Sequence, residues 1–395
     1  MRLGCIADDL TGATDLGVTL AREGLSVIQV NGVPDRSLVL PPADAVVVAL
    51  KSRTAPAAQA VAWSLASLAW LRDKNAQRVY FKYCSTFDST PRGNIGPVAD
   101  ALLDALGERF AVATPAYPRN ARTVYKGNLF IGDVPLAESG MKDHPLTPMR
   151  DSNLVRVLGA QTRRNVALVA AEVMDAGAEA IRAKLKSMEG YAILDAVRDE
   201  HLIAAGEACR DMKLSTGGAG LAMGIARAIA AGNSALHALP RLEGPAVVLA
   251  GSCSQATLAQ IDAFRAPSYK ISPNDIDARA AIEFAGRNLA ANPLIYASAP
   301  PAGIVAGRGE AIEHAFREIA RGLAGRGVRK FVVAGGETSG AVVEALGVRA
   351  LAIGPEIDPG VPWTAALGGE RYLLALKSGN FGSREFFAKA LGMVT

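Results

Sequence analysis

The feature that most constrains this chain is a rhythm of short runs that are apolar at every position. "LGCIA" at 3–7, "SVIQV" at 26–30, "AVVVAL" at 45–50, "RVYFKY" at 78–83 and "FAVATPA" at 110–116 read as strands. Ala/Leu-rich segments at helical spacing lie between several of them, such as "AAQAVAWSLASLAWLRDK" and "VADALLDALGERF". A strand apolar on both faces must be covered on both, and parallel strands need crossover helices, so the pattern implies βαβ units. "NVALVA" at 165–170, "YAILDA" at 191–196 and "KLSTGG" at 213–218 continue the series. At 226–246 a small-residue helix gives way to Pro and Gly, and a second series begins with "AVVLAGSCS", "LIYASA", "KFVVAGGETSG" and "LLALKSGNFG". We therefore expect an α/β fold of two domains, each with a mostly parallel sheet flanked by helices and with the active site in the interdomain cleft. The domains span 1–230 and 246–395, joined by a linker at 231–245. A chain of 395 residues is long for one core, which agrees.

Composition narrows the class. Half of the residues are hydrophobic and a fifth are charged, as in compact soluble proteins rather than disordered ones. A formal charge of +4 gives no case for nucleic acid as partner. No apolar run is long enough to span a bilayer, and two aspartates by residue 9 argue against a signal peptide, so no membrane partner and a cytoplasmic location are expected. The four cysteines have no pairing or zinc spacing, and Cys5 and Cys253 read as small buried hydrophobes. The four histidines show no metal spacing; His201, His237 and His314 read as solvated. His144 lies in a polar excursion at about 117–153, which we expect to cover a site or to contact another copy of the chain, as in a homodimer.

Ligands of open α/β sheets bind outside the carboxyl ends of the strands, and the residues there are informative. After the first strand comes "ADDLTGATDLG". Adjacent residues leaving a strand point to opposite faces, so one of Asp8 and Asp9 is expected to cap structure while the other faces the cleft. A haloacid-dehalogenase-type phosphatase would need its aspartates separated by one residue and followed by Gly-Thr; here they are adjacent and the order is Thr11-Gly12. In "KYCSTFDSTPRG", Lys82 and Arg92 could fork onto a carboxylate, and Ser85, Thr86 and Ser89 suit a polyol. Asp88 could accept a proton or a hydroxyl bond. A polar turn with Asp88 or Ser89 capping the next helix explains one or two of these residues; a hydroxy-acid site explains all of them.

The second domain offers different chemistry. "GSCSQAT", "AGGETSGAVVEAL" and "KSGNFG" each follow an apolar strand with small residues. Such loops let backbone N–H groups approach phosphate oxygens, and a helix N-terminus adds a favourable dipole. Lys377 either contacts phosphate or stands as a solvated strand residue. No P-loop and no GxGxxG is present at these loops, which lowers a nicotinamide dehydrogenase in rank. "STGGAGLA" at 215–222 leaves hinge, ligand loop and simple packing open.

"IADDLTGATDLG", "KYCSTFDSTPRGNIG", "TGGAGLA", "AGGETSG", "IGPEIDPGVPW" and "LKSGNFG", in that order, resemble the four-carbon acid sugar kinases over essentially the whole chain. The resemblance implies an N-terminal domain for a small-molecule sugar acid, a C-terminal domain for ATP, and transfer of the γ-phosphoryl group to a C4 hydroxyl. It implies substrate contacts from the 81–96 loop and ATP contacts from Ser254, from Gly336, Glu337, Thr338 and Ser339, and from Gly379. Within the family, "CSTFDST" and "HPLTPM" are similar to the branch acting on 3-oxo-tetronates, whereas threonate and erythronate kinases carry a shorter "DSTLRG" loop. Pro91-Arg92 departs from that branch. Phosphoryl transfer would use Mg²⁺ across the phosphates, with Asp8 or Asp9 as base or as magnesium-organising carboxylate. A non-catalytic sugar-acid sensor and a threonate or erythronate kinase are the competing readings.

Overall fold

The run at the N-terminus becomes an interior strand, because nothing in it tolerates water. All five residues of β1 (Leu3–Ala7) are buried. The computed structural model describes every residue except 145–146, 231–236, 306 and 395. Two units separate, Met1–Ala235 and Leu236–Thr395. Part of the expected linker, 231–236, lies outside the described residues; 237–245 adopts neither helix nor strand.

In the first unit β1 is followed by α1 (Leu10–Arg22), β2 (Val27–Asn31), β3 (Ala45–Ala49), α2 (Ala57–Asp73), β4 (Val79–Lys82), α3 (Ile95–Leu106) and β5 (Phe110–Thr114). The polar excursion then forms three antiparallel strands, β6 (Arg122–Tyr125), β7 (Asn128–Ile131) and β8 (Val134–Pro135). It is tied back by Asp195, whose carboxylate accepts from the N–H groups of Lys126, Gly127 and Ala171. The unit closes with α4 (Leu154–Gly159), β9 (Val166–Val169), α5 (Ala171–Asp175), α6 (Ala178–Leu185), β10 (Gly190–Leu194), α7 (Asp199–Cys209), β11 (Leu214–Gly217) and α8 (Ala219–Ile229). Its main sheet is parallel throughout, in the order β2-β3-β1-β4-β11-β5-β10-β9. The glycines of "TGGAGLA" serve packing: a methyl group on Gly220, in the first turn of α8, would lie 2.3 Å from the Ala116 carbonyl oxygen and 2.8 Å from Leu202 Cδ1 in α7.

The second unit runs β12 (Ala246–Ala250), α9 (Gln255–Ala263), β13 (Ser268–Lys270), α10 (Ala278–Arg287), β14 (Leu294–Tyr296), α11 (Gly309–Gly325), β15 (Lys330–Ala334) and α12 (Gly336–Ala345). A hairpin of β16 (Ala350–Asp358) and β17 (Val361–Leu367) follows, then β18 (Leu373–Lys377) and α13 (Phe386–Gly392). Strands β13-β14-β12-β15-β18 are parallel, and β17 and β16 continue the sheet antiparallel. The sequence reading did not list the hairpin among its strands: Gly354, Pro355 and Pro362 interrupt the run, and such residues ordinarily argue against a strand interior. Trp363 anchors it, fully buried with Nε1 donating to the Ala390 carbonyl at 3.0 Å. Phe386 and Phe387 pack in the same core, each such burial stabilising by roughly 1.5–3 kcal/mol.

Candidate active site

In each unit the first strand sends its helix to one face while its neighbours send theirs to the other. In the first unit α2 and α3 pack together, and α1 packs with α8 instead. The crevice at such a switch is where α/β sheets bind ligands, and β3, β1 and β4 deliver charged groups there.

Asp8 leaves β1 almost fully buried. Its carboxylate is clamped by Arg53, with Nε 2.9 Å from Oδ2 and Nη2 2.8 Å from Oδ1. The same Nη2 donates to Asp9 Oδ1 at 2.7 Å. Asp9 is the cap: it accepts from Gly12 N–H at 3.1 Å and from the Thr11 hydroxyl at 2.9 Å at the start of α1. Arg53 Nη1 also stands 4.0 Å from Asp88 Oδ2. Burial pushes Asp8 above the usual carboxylate range, the Arg53 charge offsetting only part of that. Burial acts on Asp9 too, but Arg53, Lys82 and the Thr11 and Gly12 hydrogen bonds outweigh it and hold Asp9 below the usual range. Two adjacent carboxylates are thus pushed apart in acidity, a pattern typical of acid–base sites.

Arg53 was not among the residues singled out from sequence, although "KSRTAP" follows an apolar strand as the other loops do. The backbone fixes it: N–H groups of Ser52 and Arg53 donate to the Asp8 carbonyl at 3.0 and 3.2 Å. The buried amide of Asn94 donates to the carbonyls of Ser52 (2.7 Å) and Ala55 (2.8 Å). Asn94 starts α3 without capping it through its side chain, and neither Asp88 nor Ser89 caps that helix.

The 81–96 loop is only partly gathered around these carboxylates. Lys82 is buried, donates to the Tyr83 carbonyl at 3.0 Å, and its charge acts on Asp9. Thr86 donates to Asp88, and Cys84 contacts Thr86. Ser89 instead accepts from Gln161 Nε2 at 2.7 Å, fastening the loop to the body of the unit. Ser85 is half-buried and has no side-chain hydrogen bond among the described residues. Arg92 is exposed, outside the network; its hydrogen bond is from its backbone N–H to the Thr90 hydroxyl at 3.3 Å. Phe87 has φ +52° and is wholly buried, its ring 5.3 Å from that of Tyr83. A left-handed conformation costs a non-glycine residue about 1–2 kcal/mol; the aromatic packing holds it and fixes the turn between Thr86 and Asp88.

The second unit builds its strand ends from backbone. Ser254 caps α9, accepting from Thr257 N–H at 3.2 Å and donating to the Gly379 carbonyl at 2.6 Å. A methyl group on Gly379 would fall 2.2 Å from Ser252 Oγ, so the loops after β12 and β18 touch only because that residue is glycine. Gly335 has φ +124° and turns β15 into α12, whose first turn carries Gly336, Glu337, Thr338 and Ser339. Gly336 and Glu337 are exposed, Thr338 and Ser339 buried. The starts of α9 and α12 thus leave unpaired N–H groups at the carboxyl edge of adjacent strands, which suits phosphate oxygens. Lys377 is not solvated: it is wholly buried, and Nζ donates to Thr257 Oγ1 (2.9 Å) and to the carbonyls of Ser378 (3.0 Å) and Gly379 (2.9 Å). Burial lowers its ammonium to about 7.

Two other expectations need correction. His201 is buried, its Nε2 2.8 Å from Asp175 Oδ1, because α7 packs it inward. Cys5 is buried as expected, but Cys253 lies past the end of β12 and is half-buried. Among the described residues no group of three or more His, Cys, Asp or Glu is arranged to hold a metal, and no helix is long and apolar enough to cross a membrane.

Known proteins give the same division. A family model for a sugar-binding N-terminal domain matches residues 3–225, and one for a nucleotide-binding C-terminal domain matches 247–387. The 3-oxo-tetronate kinase of Burkholderia multivorans is 52% identical, covering 98% of this chain and 96% of that protein. That of Pseudomonas fluorescens is 51% identical over 99% and 97%. Among solved structures, one described as the putative tRNA synthase from Salmonella typhimurium LT2 is 43% identical, covers both chains fully and superposes with a TM-score of 0.90.

Proposed function

The chain belongs to the four-carbon acid sugar kinase family, and from that premise we propose that it is an ATP-dependent kinase whose substrate is a 3-oxo-tetronate, phosphorylated at the C4 hydroxyl. The observation that carries this reading is the split in chemistry: paired carboxylates with cations in the sugar-binding unit, glycine turns at helix starts in the nucleotide-binding one. Identity near one half over the whole chain to two 3-oxo-tetronate kinases supports the branch. A tRNA-directed activity would call for a basic face, which a formal charge of +4 does not announce.

Asp8 is the better base of the pair. Burial raises it towards the working pH, whereas Asp9 is lowered and committed to α1. Arg53 holds both carboxylates in place, and Lys82 with the Ser85–Asp88 turn faces the acid's carboxylate and hydroxyls. The β- and γ-phosphates meet the N–H groups at the helix starts, those of Gln255 and Ala256 in α9 and of Gly336, Glu337 and Thr338 in α12, since Gly251, Ser252, Ser254 and Gly335 already donate within the fold. When bound with ATP, Mg²⁺ would neutralise charge on the phosphates, its usual role in kinases, and Glu337, exposed at the start of α12, would hold it.

An ADP-release assay with ATP-Mg²⁺ over 3-oxo-tetronates, D- and L-threonate and D-erythronate tests the reading. Turnover confined to the 3-oxo acids is expected. Turnover on the reduced acids alone would keep the kinase and overturn the branch. No turnover, with ATP still binding, would point to a sensor.

A further inference from the structure

The turn after β4 holds a short relay of hydrogen bonds beside the clamped carboxylates. Phe87 N–H donates to the Cys84 carbonyl at 3.0 Å and closes the turn. The buried Thr86 hydroxyl gives its single hydrogen to Asp88 Oδ1. Cys84 Sγ lies 2.9 Å from Thr86 Oγ1, and with that hydrogen already committed the thiol is the donor. Burial, and after it the Asp88 charge, pushes the Cys84 thiol up to about 11, so it keeps its proton. The relay thus runs from Cys84 to Thr86 to Asp88. The other Asp88 oxygen, Oδ2, stands 4.0 Å from Arg53 Nη1. Arg53 spends Nε and Nη2 on Asp8 and Asp9, and Nη1 has no hydrogen bond among the described residues.

We propose that Thr86 is a positioning residue that sets which oxidation level at C3 of the acid the site accepts, an assignment that rests on the kinase reading above. A 3-oxo acid differs at this carbon from threonate or erythronate. Its carbonyl oxygen only accepts, whereas a hydroxyl also has a hydrogen to place. Arg53 Nη1 is donor-only and serves either oxygen. The hydrogen of a hydroxyl needs an acceptor as well, and Asp8 and Asp9 are already clamped, which leaves Asp88. Thr86 holds its Oδ1 and the Arg53 charge draws its Oδ2, so a C3 hydroxyl would have to displace a partner that the fold has built in. A carbonyl asks nothing of Asp88. A polar hydrogen without a partner in a site closed to water lowers preference by roughly 5- to 150-fold.

The test is kcat/KM for a 3-oxo-tetronate, D-threonate and D-erythronate, measured by ADP release on the unmodified chain and three variants. Thr86→Val removes the hydroxyl at nearly the same size. It is expected to raise the ratio of reduced-acid to 3-oxo kcat/KM at least about tenfold. Thr86→Ser, which keeps the hydroxyl, is expected to leave the ratio within about twofold. Cys84→Ala takes away only the thiol that orients that hydroxyl and is expected to move the ratio the same way, by about threefold; it stands in if the Thr86→Val chain does not fold. An unchanged ratio in Thr86→Val and Cys84→Ala, or in whichever of them folds, would overturn the assignment and leave the kinase reading intact, even if turnover of every acid fell. A Thr86→Ser chain with the ratio of Thr86→Val would overturn it as well. No turnover of any acid by the unmodified chain would remove both.

Discussion

The two units use the same topological place for opposite kinds of site. At the β1 switch, side-chain charges from three separate loops converge: Asp8 and Asp9, Arg53, and Lys82 with Asp88. At the β12 switch the contacts are backbone and hydroxyl groups held together by glycine turns, and the buried cation Lys377 is spent on its own loops. A charged constellation discriminates and moves protons. A backbone cradle suits a common group such as phosphate and offers little else to read. Substitutions in the first unit should therefore alter kcat, and those in the second ATP affinity; a crossing of these effects breaks the comparison.

The largest effect belongs to Asp8→Asn. It should lower kcat by a factor of about 10²–10⁴, with ATP affinity unchanged in calorimetry; an equal loss in ATP binding would contradict the separation. Arg53→Met comes next. It leaves two carboxylates without their shared counter-charge, and breaking such a pair costs about 3 kcal/mol or more, readable as a lower urea midpoint. If the midpoint holds while turnover falls, Arg53 is a substrate contact more than a clamp. Gly379→Ala pushes apart the loops after β12 and β18 and should weaken ATP about tenfold, or about 1.4 kcal/mol, with sugar-acid affinity intact.

The smallest effects separate the units by pH. Asp9 is lowered in the folded chain, so its contribution is present above the unfolded aspartate value, about 3.9, and is lost as pH falls through the lower folded one. Lys377 works in another window. Its folded value near 7 lies below the unfolded one, so between about 7 and 10 the unfolded chain binds more protons and stability from this group rises with pH. Urea unfolding across pH should show Lys377→Met flattening the alkaline slope and Asp9→Asn the acidic one. Unchanged slopes would mean that neither group titrates as its surroundings imply.

Much of the fold was legible because parallel strands buried on both faces cannot hide their composition: the apolar runs at 3–7 and 45–50 became β1 and β3 within a residue of the expected ends, and the run opening at 246 became β12. The glycine turns after β12 and β15 were legible for the same local reason, since a strand, a turn and a helix start are consecutive in the chain. The β16–β17 hairpin was not, because Gly354, Pro355 and Pro362 speak against strands until Trp363 finds its core.

Sequence by itself determined the two α/β series, the family, and which loops leave the strand ends. Tertiary structure alone decided that Arg53 clamps Asp8 and Asp9, that Arg92 stays outside, that Ser89 fastens a loop, and that Lys377 is buried. The physical reason is range. Apolar periodicity and turn chemistry act between neighbours in the chain, whereas a charge meets its partner across strands 45 residues apart only after the sheet has set their order.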